Sequence, residues 1–171
     1  MSNYVAPVKE MRFLLDEIAG LEEIAGLPGY EDAGPDLVSA ILDEAGKFAA
    51  NELAPMNRSG DLTGSRLENG VVYTPEGFKE AYRKFVDAGW CSVAIDAEYG
   101  GQGLPRAVGT AVSEIVAAAN LSFSLCPMLT HGAVDLLIHH GTFEQKHTYL
   151  AKMISGEWSG TMNLTEPQAG S

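Results

Sequence analysis

Met162-Asn163-Leu164-Thr165-Glu166-Pro167-Gln168-Ala169-Gly170-Ser171 is the stretch around which the sequence organises itself. From Glu157 the apolar period is two: Trp158, Gly160, Met162 and Leu164 face one way, Ser159, Thr161, Asn163 and Thr165 the other. That pattern reads as a strand ending in a small-residue turn. Hydroxyls and backbone N–H groups at such an edge suit a phosphate or a heteroaromatic ring. One strand cannot satisfy its own backbone groups. Its only candidate partner is a small hairpin at Asn69-Gly70, between Leu67 and Val71-Val72. Residues 1–171 are therefore expected to be the front part of a longer fold.

Upstream, the period is helical. Met11, Leu14, Leu15, Ile18, Leu21, Ile24 and Leu27 recur every three to four residues, which predicts a helix broken near Gly20 and stopped at Pro28-Gly29. Pro35-Asp36 opens a second helix, with a stripe from Leu37 through Val38, Ile41, Leu42, Ala45, Phe48 and Leu53 and an expected end at Pro55. Thr74-Pro75 is expected to start a third, carrying Phe78, Ala81, Tyr82 and Phe85 and closed by Gly89. A helix from Pro105 or Arg106 to Ala119 follows, then one from Pro127 to His140 ended by Gly141. Thr142 with Gln145 is a capping box for a last helix that stops before Gly156. The fold class is mainly α.

The formal net charge of −12 opposes binding to nucleic acid or an anionic membrane surface, because the summed field repels phosphates. No continuous apolar run approaches the roughly 20 residues of a membrane helix. Residues 1–9 lack a signal peptide's apolar core, and a cytoplasmic location is expected. Cys91 and Cys126 read as reduced, buried small residues.

Few residues carry chemistry on their own. Gly100-Gly101-Gln102-Gly103 lacks the spacing of a dinucleotide loop and reads as a tight turn needing positive φ. His131, His139, His140 and His147 have no carboxylate or cysteine at ligand spacing, so no metal is expected. Glu166, ahead of a proline turn, reads as a turn anchor through backbone N–H bonds rather than as a base. No catalytic residue is assigned within the chain.

Leu164-Thr165-Glu166-Pro167-Gln168-Ala169-Gly170-Ser171 resembles the first signature of the acyl-CoA dehydrogenase family. Ala97-Glu98-Tyr99-Gly100-Gly101-Gln102-Gly103-Leu104, Gly141-Thr142-Phe143-Glu144-Gln145-Lys146 and Ser155-Gly156-Glu157-Trp158 agree with it in order and spacing. The first helical segment resembles the extra N-terminal piece of a bacterial subgroup that includes 3-(methylthio)propanoyl-CoA dehydrogenases. The resemblance implies a helical extension over 1–34, the family's N-terminal helical domain over 35–156, and the truncated start of a middle β-barrel domain over 157–171. The C-terminal helical domain would be absent from this chain.

It also implies FAD, an acyl-CoA substrate undergoing α,β-dehydrogenation, an electron-transfer flavoprotein as partner, and a homo-oligomer. Carried over by position, Met162 and Leu164 pack near the isoalloxazine, with Asn163 beside them where the family usually has a smaller residue. Thr165 bonds the ring's pyrimidine edge, Gly170 and Ser171 meet the pyrophosphate, and Ser171 also approaches the acyl-CoA. Leu125 and Met128 are either walls of the acyl pocket or ordinary core. The base would lie beyond residue 171, so the fragment alone would be inactive. The alternatives are a flavin oxidase or monooxygenase on the same fold, and a non-catalytic helical interaction module.

Overall fold

Proline and glycine set the boundaries of the elements in the computed structural model, which describes residues 4–163 and 165–170. Leu164 and Ser171 lie outside the described residues. Helix α1 (Val8–Phe13) continues as a π-helical turn over Leu14–Ile18. Gly20, at φ 69°, then breaks the path before α2 (Leu21–Ala25). Only part of the expected stripe is buried: Met11, Leu15 and Leu21 face the core, whereas Leu14 and Ile18 are exposed.

Helix α3 (Pro35–Phe48) starts at its proline, where the missing N–H costs no bond. Pro55 does not end the run as the sequence suggested. A π-helical turn over Ala49–Leu53 hands the chain to α4 (Ala54–Thr63), in whose first turn Pro55 sits. The Ala54 N–H still bonds the Ala49 carbonyl, so the helical path is continuous, and the wider π turn accommodates a proline that has no N–H to give. The hairpin forms, with β1 (Arg66–Glu68) antiparallel to β2 (Val71–Tyr73) across Asn69-Gly70. Both turn residues have positive φ, the requirement of a two-residue hairpin loop.

Helix α5 (Phe78–Asp87) begins three residues later than Thr74-Pro75 implied, capped by Gly77 in the left-handed region. It closes at Gly89, φ 77°, where the Trp90 N–H reaches back to the Phe85 carbonyl. Then come α6 (Arg106–Ala119), α7 (Leu121–His140) and α8 (Phe143–Ile154). Helix α7 starts six residues before the expected Pro127, because the Asn120 side chain caps it by accepting from the Phe123 N–H. The fully buried Asn120 also donates to the Leu53 carbonyl, tying this cap to the end of the π-helical turn that follows α3. The Thr142–Gln145 capping box of α8 is present in both directions.

The larger core joins α3 and α6, with Val38 and Leu42 against Val108 and Ile115. A smaller one joins α7 and α8 through Val134, Leu150, Met153 and Ile154. Helix α7 spans 20 residues at a mean hydropathy of 1.4, so by length and composition it would suit a membrane span. The sequence expectation counted unbroken runs and missed it. A core helix meets the same measure, and α7 packs against both α6 and α8.

Over residues 159–163 the expected terminal strand is not formed. Among the described residues, 159–163 carry no strand, and the one later pairing is a bridge between Glu166 and Ala169. The hairpin pairs only with itself, so residues 159–163 find no ladder within the described chain.

Candidate functional site

Two features meet on α7: a cavity on one side and the terminal segment on the other. The cavity, about 460 Å³, lies between α6, α7 and the turns at 90–95. Val93, Val112, Val116, Pro127 and Met128 supply much of its apolar lining. Gly109 packs so tightly on Ala94 that an added Cβ would come within 2.5 Å of the alanine's own. At the rim Arg106 grips Asp135 through two guanidinium nitrogens, at 3.0 and 3.2 Å. The pair is exposed, so it orders the rim more than it stabilises the fold.

His131, which also lines the cavity, donates from Nε2 to the Cys91 carbonyl at 2.7 Å. A carbonyl only accepts, so this contact fixes the tautomer. The indole Nε1 of Trp90 is buried without a partner among the described residues. Among the described residues no three His, Cys, Asp or Glu side chains gather as a metal would need. Cys91 is buried and its thiol is pushed up to about 11 by that burial, with proximity to Cys126 adding to it. Cys126 is exposed, against the expectation of a buried residue.

The terminal segment leaves the helical body through a series of fixed points. Gly156, at φ 79°, caps α8, and its carbonyl accepts from the Tyr82 hydroxyl at 3.2 Å. Burial pushes that phenol up to about 12. The Trp158 N–H donates to the Lys152 carbonyl, and the Lys152 ammonium sits 4.4 Å from the centre of the Trp158 ring. Ser159 bonds Cys126, and the Gly160 N–H donates to Thr130 Oγ1 at 3.1 Å. From Thr161 onward every described residue is exposed.

The residues singled out from the sequence divide accordingly. Met128 lines the cavity and is 54% exposed, so it belongs to both the cavity and the outer wall. Leu125, 46% exposed, lies on the outer wall and does not line the cavity. Met162 is 60% exposed, Asn163 is exposed, and Gly170 has open space where a Cβ would stand. Glu166 anchors its turn through its backbone, exchanging both hydrogen bonds with Ala169 at 3.0 and 3.1 Å. Its carboxylate accepts from the Gln168 side chain. The Gly100–Gly103 loop is a tight turn: Gly100 and Gly103 have positive φ, and a Cβ on Gly101 would overlap the Ile95 carbonyl. Thr130 and Gly160 gave no sequence signal beyond one small residue in an alternating run.

Residues 36–157 match the model of the acyl-CoA dehydrogenase N-terminal domain. The chain belongs to the acyl-CoA dehydrogenase family. It is 49% identical over 168 residues to a 3-methylmercaptopropionyl-CoA dehydrogenase of Ruegeria pomeroyi, covering 98% of this chain and 29% of that protein. It is 34% identical to a butyryl-CoA dehydrogenase of Syntrophomonas wolfei and 33% to a broad-specificity linear acyl-CoA dehydrogenase of Mycobacterium tuberculosis. Those matches cover 99% and 100% of this chain and 28% of each relative. The chain thus spans under a third of the length of these relatives. A solved structure described as the electron transferring flavoprotein of Acidaminococcus fermentans superposes with a TM-score of 0.63 at 26% identity. That superposition covers 78% of this chain and 32% of the other.

Proposed function

We propose that this chain is the N-terminal helical part of an FAD-dependent enzyme that dehydrogenates a short acyl-CoA, such as 3-(methylthio)propanoyl-CoA, between Cα and Cβ. The observation that carries the substrate side is the apolar cavity entered beside Met128. Its lining suits an uncharged aliphatic tail, and its half-exposed entrance residue stands on the same helix face as Leu125. Family membership and the 49% identity support the reaction class.

The terminal segment supports the flavin. Met162 offers an exposed thioether for packing on a flat ring, and Gly170 leaves room for close approach to a phosphate. Asn163 and Thr165 lie between them in sequence, with Thr165 as the donor to the ring's polar edge. These residues fit one wall of such a site. When bound, FAD accepts the hydride that leaves Cβ as a carboxylate outside residues 1–171 takes the α-proton. The residues of this chain bind and orient: α6 and α7 hold the tail away from water, and Met162, Thr165 and Gly170 position the cofactor. A cytoplasmic homo-oligomer that passes electrons to an electron-transfer flavoprotein completes the reading.

The test is spectroscopic. The purified full-length protein should show flavin absorbance that is bleached anaerobically by 3-(methylthio)propanoyl-CoA or butanoyl-CoA. A protein without flavin absorbance, or one whose flavin no acyl-CoA reduces, would overturn the proposal.

A further inference from the structure

We infer that Thr130 and Gly160 together act as the positioning device of the proposed flavin wall, fixing where the segment carrying Met162 and Asn163 leaves the helical body. The inference rests on the proposed function for the identity of the ligand, and on geometry for the rest.

Thr130 is 4% exposed in the middle of α7. Its hydroxyl donates to the Cys126 carbonyl at 2.9 Å, one turn back, which sets the direction of its lone pairs. The Gly160 N–H then bonds that oxygen at 3.1 Å, across 30 residues of sequence. Gly160 has no room for a side chain: an added Cβ would stand 2.6 Å from the Ala133 Cβ and 3.0 Å from the Met153 methyl. The backbone is therefore held from one side by a hydroxyl and pressed from the other onto α7 and α8. Two residues on, Met162 is already 60% exposed. Gly160 is thus the last described residue of the segment that is not fully exposed, and any displacement there passes directly to the residues that would meet the flavin.

The half-buried Gly160 N–H, once it loses this acceptor, must turn to water or move to find another partner. Either way the hold on the backbone at Gly160 is weakened, and residues 161–163 follow it. Thr130→Val keeps the shape of the side chain and removes the acceptor, whereas Thr130→Ser keeps the hydroxyl.

The experiment uses the full-length protein. In Thr130→Val, amide exchange at Gly160 should accelerate about tenfold relative to the other amides of residues 121–154. The FAD dissociation constant should rise roughly fivefold to tenfold, with an altered visible circular dichroism of the flavin. Thr130→Ser should restore both. Gly160→Ala should perturb the same two readouts, and Ala133→Gly in that background should reverse the change by removing the atom it strikes.

Wild-type protein without flavin would overturn the proposed function, and this inference with it. Wild-type flavin content with an unchanged dissociation constant and dichroism in Thr130→Val and Gly160→Ala would overturn the inference alone. A fall in Tm unaccompanied by either flavin change would reduce Thr130 to an ordinary core contact, which also overturns it.

Discussion

The α3–α6 body and the segment after Gly160 are built on opposite terms. Leu42, Val108 and Ile115 are fully buried, and the helices that carry them satisfy their backbones within themselves. Met162 is 60% exposed, and residues 159–163 find no ladder partner among the described residues. Stability is concentrated in the first region and the proposed chemistry in the second. A helix needs only its own neighbours three and four residues away, whereas a strand needs another strand. A functional wall placed on the second kind of element is only as well positioned as its anchors.

The sharpest way to break this contrast is to truncate one side chain in each region. Leu42→Ala should destabilise the protein by about 3 kcal/mol, the usual cost of emptying a large buried side chain. Met162→Ala should cost under about 0.5 kcal/mol. Urea unfolding measures both, and comparable values would mean that the terminal segment shares the core's stability.

The junction between the regions should behave like core despite lying in a loop. Gly156 combines φ 79° with a site where a Cβ would come within 2.5 Å of Val86 Cγ2 and 3.1 Å of Cys91 Sγ. Gly156→Ala should cost about 2 kcal/mol, from backbone strain and overpacking together. Gly29, with positive φ but open space around it, is the control. Ala there should cost about 1 kcal/mol, from backbone conformation alone.

What was legible in the sequence follows the same division. Pro35, Gly89 and the Thr142–Gln145 box announced helix ends because each acts within one turn of its own position. Pro55 and Pro127 misled, since a π-helical turn lets the chain pass the first and a cap seven residues upstream of the second starts α7 early. Within the candidate site, Met128 came only through the family resemblance, paired with Leu125. Leu125 could not be separated from it, because the two lie on neighbouring turns and only packing decides which of them the cavity reaches. The contact between Thr130 and Gly160 was invisible, as nothing local links residues 30 apart.

Local signals should also carry local energies. Thr142→Ala removes the hydroxyl that accepts from the Gln145 N–H and half of the capping box. The expected loss is about 1 kcal/mol, smaller than either effect above, and amide exchange should place it in the first turn of α8. A loss spread evenly over α7 and α8 would instead mean that the cap holds the two helices together.

The last effect is absent at neutral pH, is confined to alkaline solution, and probes the seam where α5 meets residues 91 and 156. Burial raises the Cys91 thiol from an ordinary value of 9.0 to about 11, and the Tyr82 phenol from 10.0 to about 12. Both groups are neutral when protonated, so above pH 9 the unfolded chain releases protons that the folded one retains. The folded state then binds more protons than the unfolded state, and stability falls as pH rises. The loss should begin near pH 9 with the thiol, gain the phenol's share from about pH 10, and level off once both folded groups have titrated. Thermal unfolding between pH 8 and 11 should show a Tm that declines above pH 9. Cys91→Ala should flatten the earlier part of the decline and Tyr82→Phe the later part. If neither substitution changes the slope, the seam is more open to solvent than its contacts imply, and Gly156 would lose its standing as part of the core.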